Sequence, residues 1–213
     1  MPSSDNTHSK IIRDAASTFL SPLGLTQKGR SRIWVDDQAW WLCLVEFQPG
    51  GFSRGTYLNV GCMWLWRERD YPSFDEGYRV EDFFPFENGE QFRKVATKLA
   101  ARAAAEVERY RSKFQTVLHV SDHYLNRNPA EFWPSFNAAV ACGISGRPLD
   151  ARRFFAHMLA LSDDRGWVKS AQTEAANLSS IVHDTKLFRQ TVLDTVIRTR
   201  KMLRLPEDRL VCF

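Results

Sequence analysis

"GTYLNVGCMWLW", residues 55–66, is the stretch whose reading decides the fold. It alternates as a β-strand does, with Leu58, Val60, Cys62, Trp64 and Trp66 on one side and Tyr57, Asn59, Gly61, Met63 and Leu65 on the other, yet neither side is cleanly polar. An antiparallel strand with one wet face separates apolar from polar side chains, so this pattern predicts a sheet covered on part of its second face as well. The run before it, "AWWLCLVEF" (39–47), behaves the same way. Trp41, Cys43, Val45 and Phe47 form one apolar face, while Trp40, Leu42 and Leu44 on the other give way to polar Glu46 and Gln48 only at the end. A third extended run, "RIWV" (32–35), is separated from these by Asp36-Asp37-Gln38, which suits a tight hairpin, and Gly50, Gly51 and Gly55 supply the next turn. The economical topology is an antiparallel meander, its second face covered by the C-terminal half or by a partner.

Outside the strands the pattern is helical. "SKIIRDAASTFLS" (9–21) spaces Ile11, Ile12, Ala15, Ala16, Phe19 and Leu20 along one helix face, and Pro22 with Gly24 ends it. A long helix is expected from about residue 90 to 118, striped by Phe92, Val95, Leu99, Ala103, Tyr110, Phe114 and Val117. Between sheet and helix, "YRVEDFF" would add a short edge strand. After the break at Asn126 to Pro129 only helices follow, at about 130–145, 148–162, 167–182 and 185–204. The fold class is therefore α+β: an N-terminal helix, a three- to four-stranded antiparallel meander and a long helix (1–126), then a bundle of four helices (127–213) packed on them.

Composition is that of a folded chain. At 213 residues with 44% hydrophobic and 13% aromatic residues there is ample material for a core. The net charge of +4 is spread thinly, 16 basic against 15 acidic side chains in residues 1–120 and 13 against 10 in residues 121–213, which is not the charge of a dedicated nucleic-acid binder. "MPSSDNTHSK" lacks the order of a signal peptide and no apolar run is long enough to span a membrane, so a cytoplasmic protein is expected. Cys43, Cys62 and Cys142 sit in apolar runs as buried thiols, without the paired spacing of a zinc site, and Cys212 near the end is the one expected at the surface.

Two resemblances attach to particular residues. "FLSPLGLTQKGRSRIWV", a second strand ending in Gln48 and "YLNVG" with Asn59 and Gly61 resemble, over residues 19 to about 115, the bacterial family catalogued as domain of unknown function 4304. Leu25 stands where that family usually has Phe, and Pro49-Gly50 replaces the Ser that often follows the strand-two Gln. No activity is established for the family, and what the resemblance implies is an α+β domain with a softer similarity to immunity-type proteins encoded beside bacterial toxins. "GRPLDARRFFAHMLAL" (146–161) is similar to the turn and second helix of a tetratricopeptide-type hairpin, with Gly146 at the turn and Ala151 as the small packing residue; one repeat later Phe188 takes that small position.

Few residues carry chemistry. His119 and His123 stand at i, i+4, but two ligands without a third make no metal site, and surface histidines near a helix end account for them. His157 and His183 are expected to pack within helical hairpins. "GGFSRG" (50–55) has glycines but no Gly-Lys-Ser/Thr and no following helix, so it reads as a hairpin loop, and "GISGR" (143–147) lacks the spacing of a hydrolase elbow. Lys28, Arg30, Arg32 and Arg54 border the aromatic strands, as in sheets that bind single-stranded nucleic acid, but the tryptophans point to both faces and an acidic connection follows. Gln48, Arg54 and Asn59 are the candidates for a small-ligand pocket between sheet and helices; polar residues in such places also satisfy loop amides.

The segment "SFDEGYRVEDFFPFENGE" (73–90) is the leading candidate. Asp75, Glu76, Glu81 and Asp82 interleave with Tyr78, Phe83, Phe84 and Phe86, so that aromatics would bring contact energy and acids would steer a basic partner. The competing reading is that the aromatics tuck under the long helix. The expectation is a non-enzymatic, immunity-like interaction protein without cofactor or metal; the alternative is a small enzyme or ligand binder.

Overall fold

The computed structural model of the protein describes residues 7–207, 209, 212 and 213, which leaves most of the polar opening stretch outside it. The chain divides into two compact units, Met1–Met63 with Pro72–Ser112 and Trp64–Tyr71 with Lys113–Phe213. The α+β class holds: α1, a five-stranded antiparallel meander in the order β1-β2-β3-β4-β5, then helices.

In the first unit, α1 (Thr7–Leu20) buries Ile11, Ile12, Ala16 and Leu20, the helical spacing read above. A single 3-10 turn, Ser21–Leu23, stops it, and Gly24 closes that turn at φ 86°, a conformation glycine adopts without strain. The sheet is β1 (Thr26–Gln27), β2 (Ile33–Asp37), β3 (Trp41–Glu46), β4 (Gly55–Trp64) and β5 (Glu76–Pro85). Five strands replace the expected three or four, because two residues of the Leu-Thr-Gln-Lys linker pair with Val35 and Trp34. The β2–β3 turn also falls later than the sequence indicates. Asp36 and Asp37 pair with Cys43 and Leu42 inside the ladder, and the turn is made by Gln38, Ala39 and Trp40, with Ala39 at φ 67° and its amide held by Asp37.

That shift matters for packing. Asp36 faces the same way as Cys43, toward α2 (Gly89–Lys113), where Arg111 grips its carboxylate in a fork of 2.9 and 2.8 Å and donates a further 2.7 Å bond to the Leu23 carbonyl. Phe92, Leu99, Ala103 and Tyr110 of α2 are buried, as are Trp41, Cys43, Val45, Leu58, Val60 and Cys62 of the strands. On the second face Leu42, Leu44 and Met63 are also buried, at 2% exposure or less, so the centre of the sheet has no wet side. Each such side chain withdrawn from water contributes about 1.5–3 kcal/mol.

In the second unit the aromatic end of "GTYLNVGCMWLW" solves a polar problem. Trp64 and Trp66 stack at 5.3 Å and are fully buried, so each indole N–H needs an acceptor. Trp64 donates to the Tyr124 hydroxyl at 2.9 Å and Trp66 to Asn137 Oδ1 at 3.1 Å. The expected single helix from 90 to 118 is two: α2 ends at Lys113, and α3 (Val117–Arg127) starts afresh with the Thr116 side chain accepting from the His119 amide. α4 (Phe132–Ile144), α5 (Pro148–Ala160), α6 (Gly166–Ile181) and α7 (Thr185–Leu203) follow within three residues of the predicted bounds. α4 is buried throughout Ser135–Ile144, the pattern of a central helix. Gly146 turns the chain at φ 74° and Ala151 is fully buried, while the bulky Phe188 of α7 is accommodated because Gly143 of α4 leaves room for its ring.

Candidate functional site

The acidic segment forms β5, which is longer than the short strand expected and lies at the open edge of the sheet, hydrogen-bonded to β4 alone. Two register shifts, between Thr56 and Leu58 and between Leu58 and Asn59, give β5 two extra residues. These are β-bulges, which twist an edge away from further strand pairing, so β5 presents side chains to a partner more readily than a backbone ladder. Its beginning is pinned by two glycines in register, Gly61 and Gly77. A Cβ on Gly61 would overlap the Glu76 carbonyl and stand 2.8 Å from both Gly77 Cα and the Phe74 ring, so only glycine allows this approach.

The aromatics of the segment serve the fold on both faces. Tyr78 donates its hydroxyl to Glu106 of α2 and lies 5.5 Å from the Arg109 guanidinium. Phe84 sits under Lys98, and Phe86 packs against Phe92 at 5.2 Å and against His8. Those three support the tucked reading. Phe83 crosses to the other face, 5.0 Å from Tyr57, and fills the space that Gly50 and Gly55 leave without side chains. Tyr78 and Phe74 keep 43% and 40% exposure; Phe83, Phe84 and Phe86 are half-buried.

The acids divide likewise. Asp75 donates its amide to Cys62 at 2.8 Å and begins the β4–β5 pairing, and Glu76 pairs in the ladder with Cys62. Glu81 and Asp82 lie at the bulges, half-buried and exposed, and among the described residues neither makes an ion pair. The strand's one arginine, Arg79, turns away from them onto the Tyr57 ring at 4.0 Å and donates to Gln48 at 3.0 Å. Residues 72–90 thus carry six carboxylates against one arginine whose charge is spent on the opposite face.

Of the alternative pocket residues, Gln48 and Asn59 do come together. Asn59 Nδ2 donates at 2.9 Å to both Gln48 Oε1 and Glu46 Oε2, and Arg79 completes a closed network whose partners come from β3, β4 and β5 and, for Gln48, from just past the end of β3. Arg54 lies elsewhere, exposed in the β3–β4 loop, where its carbonyl accepts from the Phe86 amide at 2.9 Å. His119 and His123 lie on α3, exposed and half-buried, and among the described residues no group of three potential ligands gathers for a metal.

The perturbed acids in the first unit are structural. Burial pushes the Glu106 carboxyl upward, but hydrogen bonds from Arg109 and Tyr78 and the charges of Arg109 and Arg102 outweigh it and hold the group below the ordinary carboxylate range. In the second unit the sequence gives no hint of a groove of about 460 Å³ lined by Arg67, Tyr71, Trp133, Trp167 and Glu174. Trp133 and Trp167 stack at 5.7 Å, capped by the guanidiniums of Arg67 at 3.6 Å and Arg165 at 4.7 Å. Burial, with the nearby Glu68 charge, raises the Glu174 carboxyl. Comparison with family models, with curated proteins and with solved structures finds no match.

Proposed function

We propose that this chain is a non-enzymatic interaction protein of the bacterial cytoplasm, immunity-like in type, which binds a basic protein partner along β5. The observation that carries the reading is the pair Glu81 and Asp82. They stand on a bulged, open sheet edge and make no ion pair among the described residues. Fixed carboxylates of this kind steer a cationic surface and speed its association, an effect that salt screens. The packing of Phe83, Phe84 and Phe86 against the chain takes these rings out of the contact surface, and what it leaves to the reading is that the neighbouring acids are held in place before binding. Direct aromatic contact then comes from Tyr78 and Phe74. The bacterial and immunity-like parts rest on the family resemblance. No helix among the described residues is long and apolar enough to cross a membrane.

The test is capture of partners from a bacterial lysate by the protein, by a Glu81→Lys/Asp82→Lys variant and by an equally charge-shifted control, Asp194→Lys/Glu207→Lys. The reading expects a basic protein, eluted by salt, that the first variant loses and the control keeps. Capture that is indifferent to the β5 reversal rejects it.

A further inference from the structure

A second site, independent of the β5 reading, lies between α1 and the β1–β2 turn. Arg13 from α1 and Arg30 and Arg32 from the turn line one small cleft of about 90 Å³, with Ser9 at its side and Ile12 and Trp34 among its walls. No carboxylate lines it among the described residues. Arg13 and Arg30 are exposed and make no ion pair among the described residues. Arg32 is half-buried and donates only to neutral acceptors: His8 Nε2 at 2.6 Å, Ser9 Oγ at 2.8 Å and the Gly55 carbonyl at 3.4 Å. His8 must therefore present an unprotonated nitrogen to the guanidinium.

Three arginines lining one cleft repel one another unless an anion joins them, and Arg32, the half-buried one of the three, finds only neutral acceptors there. We propose that this cleft binds a phosphate group. Guanidinium forks match the oxygens of a tetrahedral oxyanion, and three cations suit a doubly charged group better than a singly charged carboxylate. The buried Trp34 and Ile12 exclude water from one side and strengthen each contact. The cleft's volume is about that of three water molecules, room for one phosphate group and not for a nucleotide, so any remainder of the ligand stays in solvent. The basic residues flanking the first hairpin thereby acquire a role that a nucleic-acid groove does not require.

Calorimetric titration of the full chain at ionic strength held constant with sodium chloride tests this, using inorganic phosphate, O-phosphoserine and acetate as probes. Saturable one-to-one phosphate binding is expected, with acetate weaker by roughly tenfold or more, and with a comparable loss in Arg13→Gln/Arg30→Gln, whose circular dichroism should match the parent. Tighter binding of O-phosphoserine would assign the site to a phosphoryl group on a larger molecule, and tighter binding of phosphate to the free ion. Should the double variant fold poorly, amide shifts in the parent decide: phosphate but not chloride must move Ser9 and Arg32. Acetate binding equal to phosphate, no heat beyond that of chloride, or unchanged binding in a folded double variant overturns the proposal.

Discussion

Replacing Gly61 by alanine should release the start of β5 while leaving the rest of the sheet in place. The new methyl would overlap the Glu76 carbonyl and stand 2.8 Å from Gly77 Cα, and because the first obstacle is backbone, no rotamer change relieves it. The local remedy is for β5 to move away, which costs the pairing of Val60 with Tyr78, Gly61 with Gly77 and Cys62 with Glu76, and the 2.8 Å bond from the Asp75 amide to Cys62. Two to three such bonds at about 1 kcal/mol each give about 3 kcal/mol. Phe74, already 40% exposed, adds little when displaced. Native-state hydrogen exchange is the assay: about 3 kcal/mol corresponds to roughly a hundredfold faster exchange of the Asp75 amide. The amides of Trp41–Val45, on the neighbouring strand β3, should keep their protection. Gly77→Ala should act in the same direction, since its Cβ would meet Gly61 Cα at 2.6 Å from a φ of +153°. Unchanged exchange at Asp75 in Gly61→Ala would refute the close approach of the two strands.

Asp36→Asn keeps the shape of a buried side chain but removes the charge that Arg111 grips; urea denaturation should show a loss of about 2–3 kcal/mol, with a coupling of about 2 kcal/mol in the cycle with Arg111→Ala. Glu106→Gln should lower the unfolding free energy measured in urea at pH 7 by about 1–2 kcal/mol, a loss limited because Arg102 and Arg109 are half-exposed and regain water. The Glu106 carboxyl is held below its ordinary value, so its stabilisation is full above the unfolded pKa near 4.3 and is lost as pH falls through the folded value; the difference between the two proteins should shrink as pH falls below that range. With iodoacetamide at pH 8, Cys212 should react first. Cys142, buried and pushed up to about 11, holds only about 0.1% thiolate, and Cys43 is raised further by burial and by the nearby Asp36; mass mapping of a native-state digest checks the order.

What the sequence made legible was what local pattern determines. The helices from residue 130 onward were readable because the apolar stripes are bounded by Gly, Pro or Asn signals, except between α6 and α7, where Asp184 caps the second helix. The fully apolar strands announced a sheet with no wet centre because alternation is a property of neighbouring residues. The misplaced elements all depend on distant partners. Asp36-Asp37-Gln38 has turn composition, and nothing nearby reveals that Arg111 lies ready to neutralise Asp36 inside the ladder. The helix break at Phe114 to Thr116 was masked because Phe114 and Val117 continue the stripe of α2. In the acidic segment plain alternation already sets Phe83 opposite Tyr78, Phe84 and Phe86, but what each side chain meets, Tyr57 for Phe83 and Arg109 for Tyr78, depends on distant parts of the chain. The arginine cleft was present in the sequence only as basic residues flanking the first hairpin; Arg13, a helix turn away from Ser9, joins them through the packing of α1.

The central claim, that β5 carries the partner surface, is tested most directly by zero-length carboxyl-to-amine cross-linking of the protein with whatever basic protein it captures, read residue by residue by mass spectrometry. The account predicts links from Glu81 and Asp82 to lysines of the partner, suppressed by salt and competed by Glu81→Lys/Asp82→Lys protein no better than by buffer. Links arising from other carboxylates, such as Asp70 or Glu174 beside the tryptophan groove, with none from β5, would contradict it.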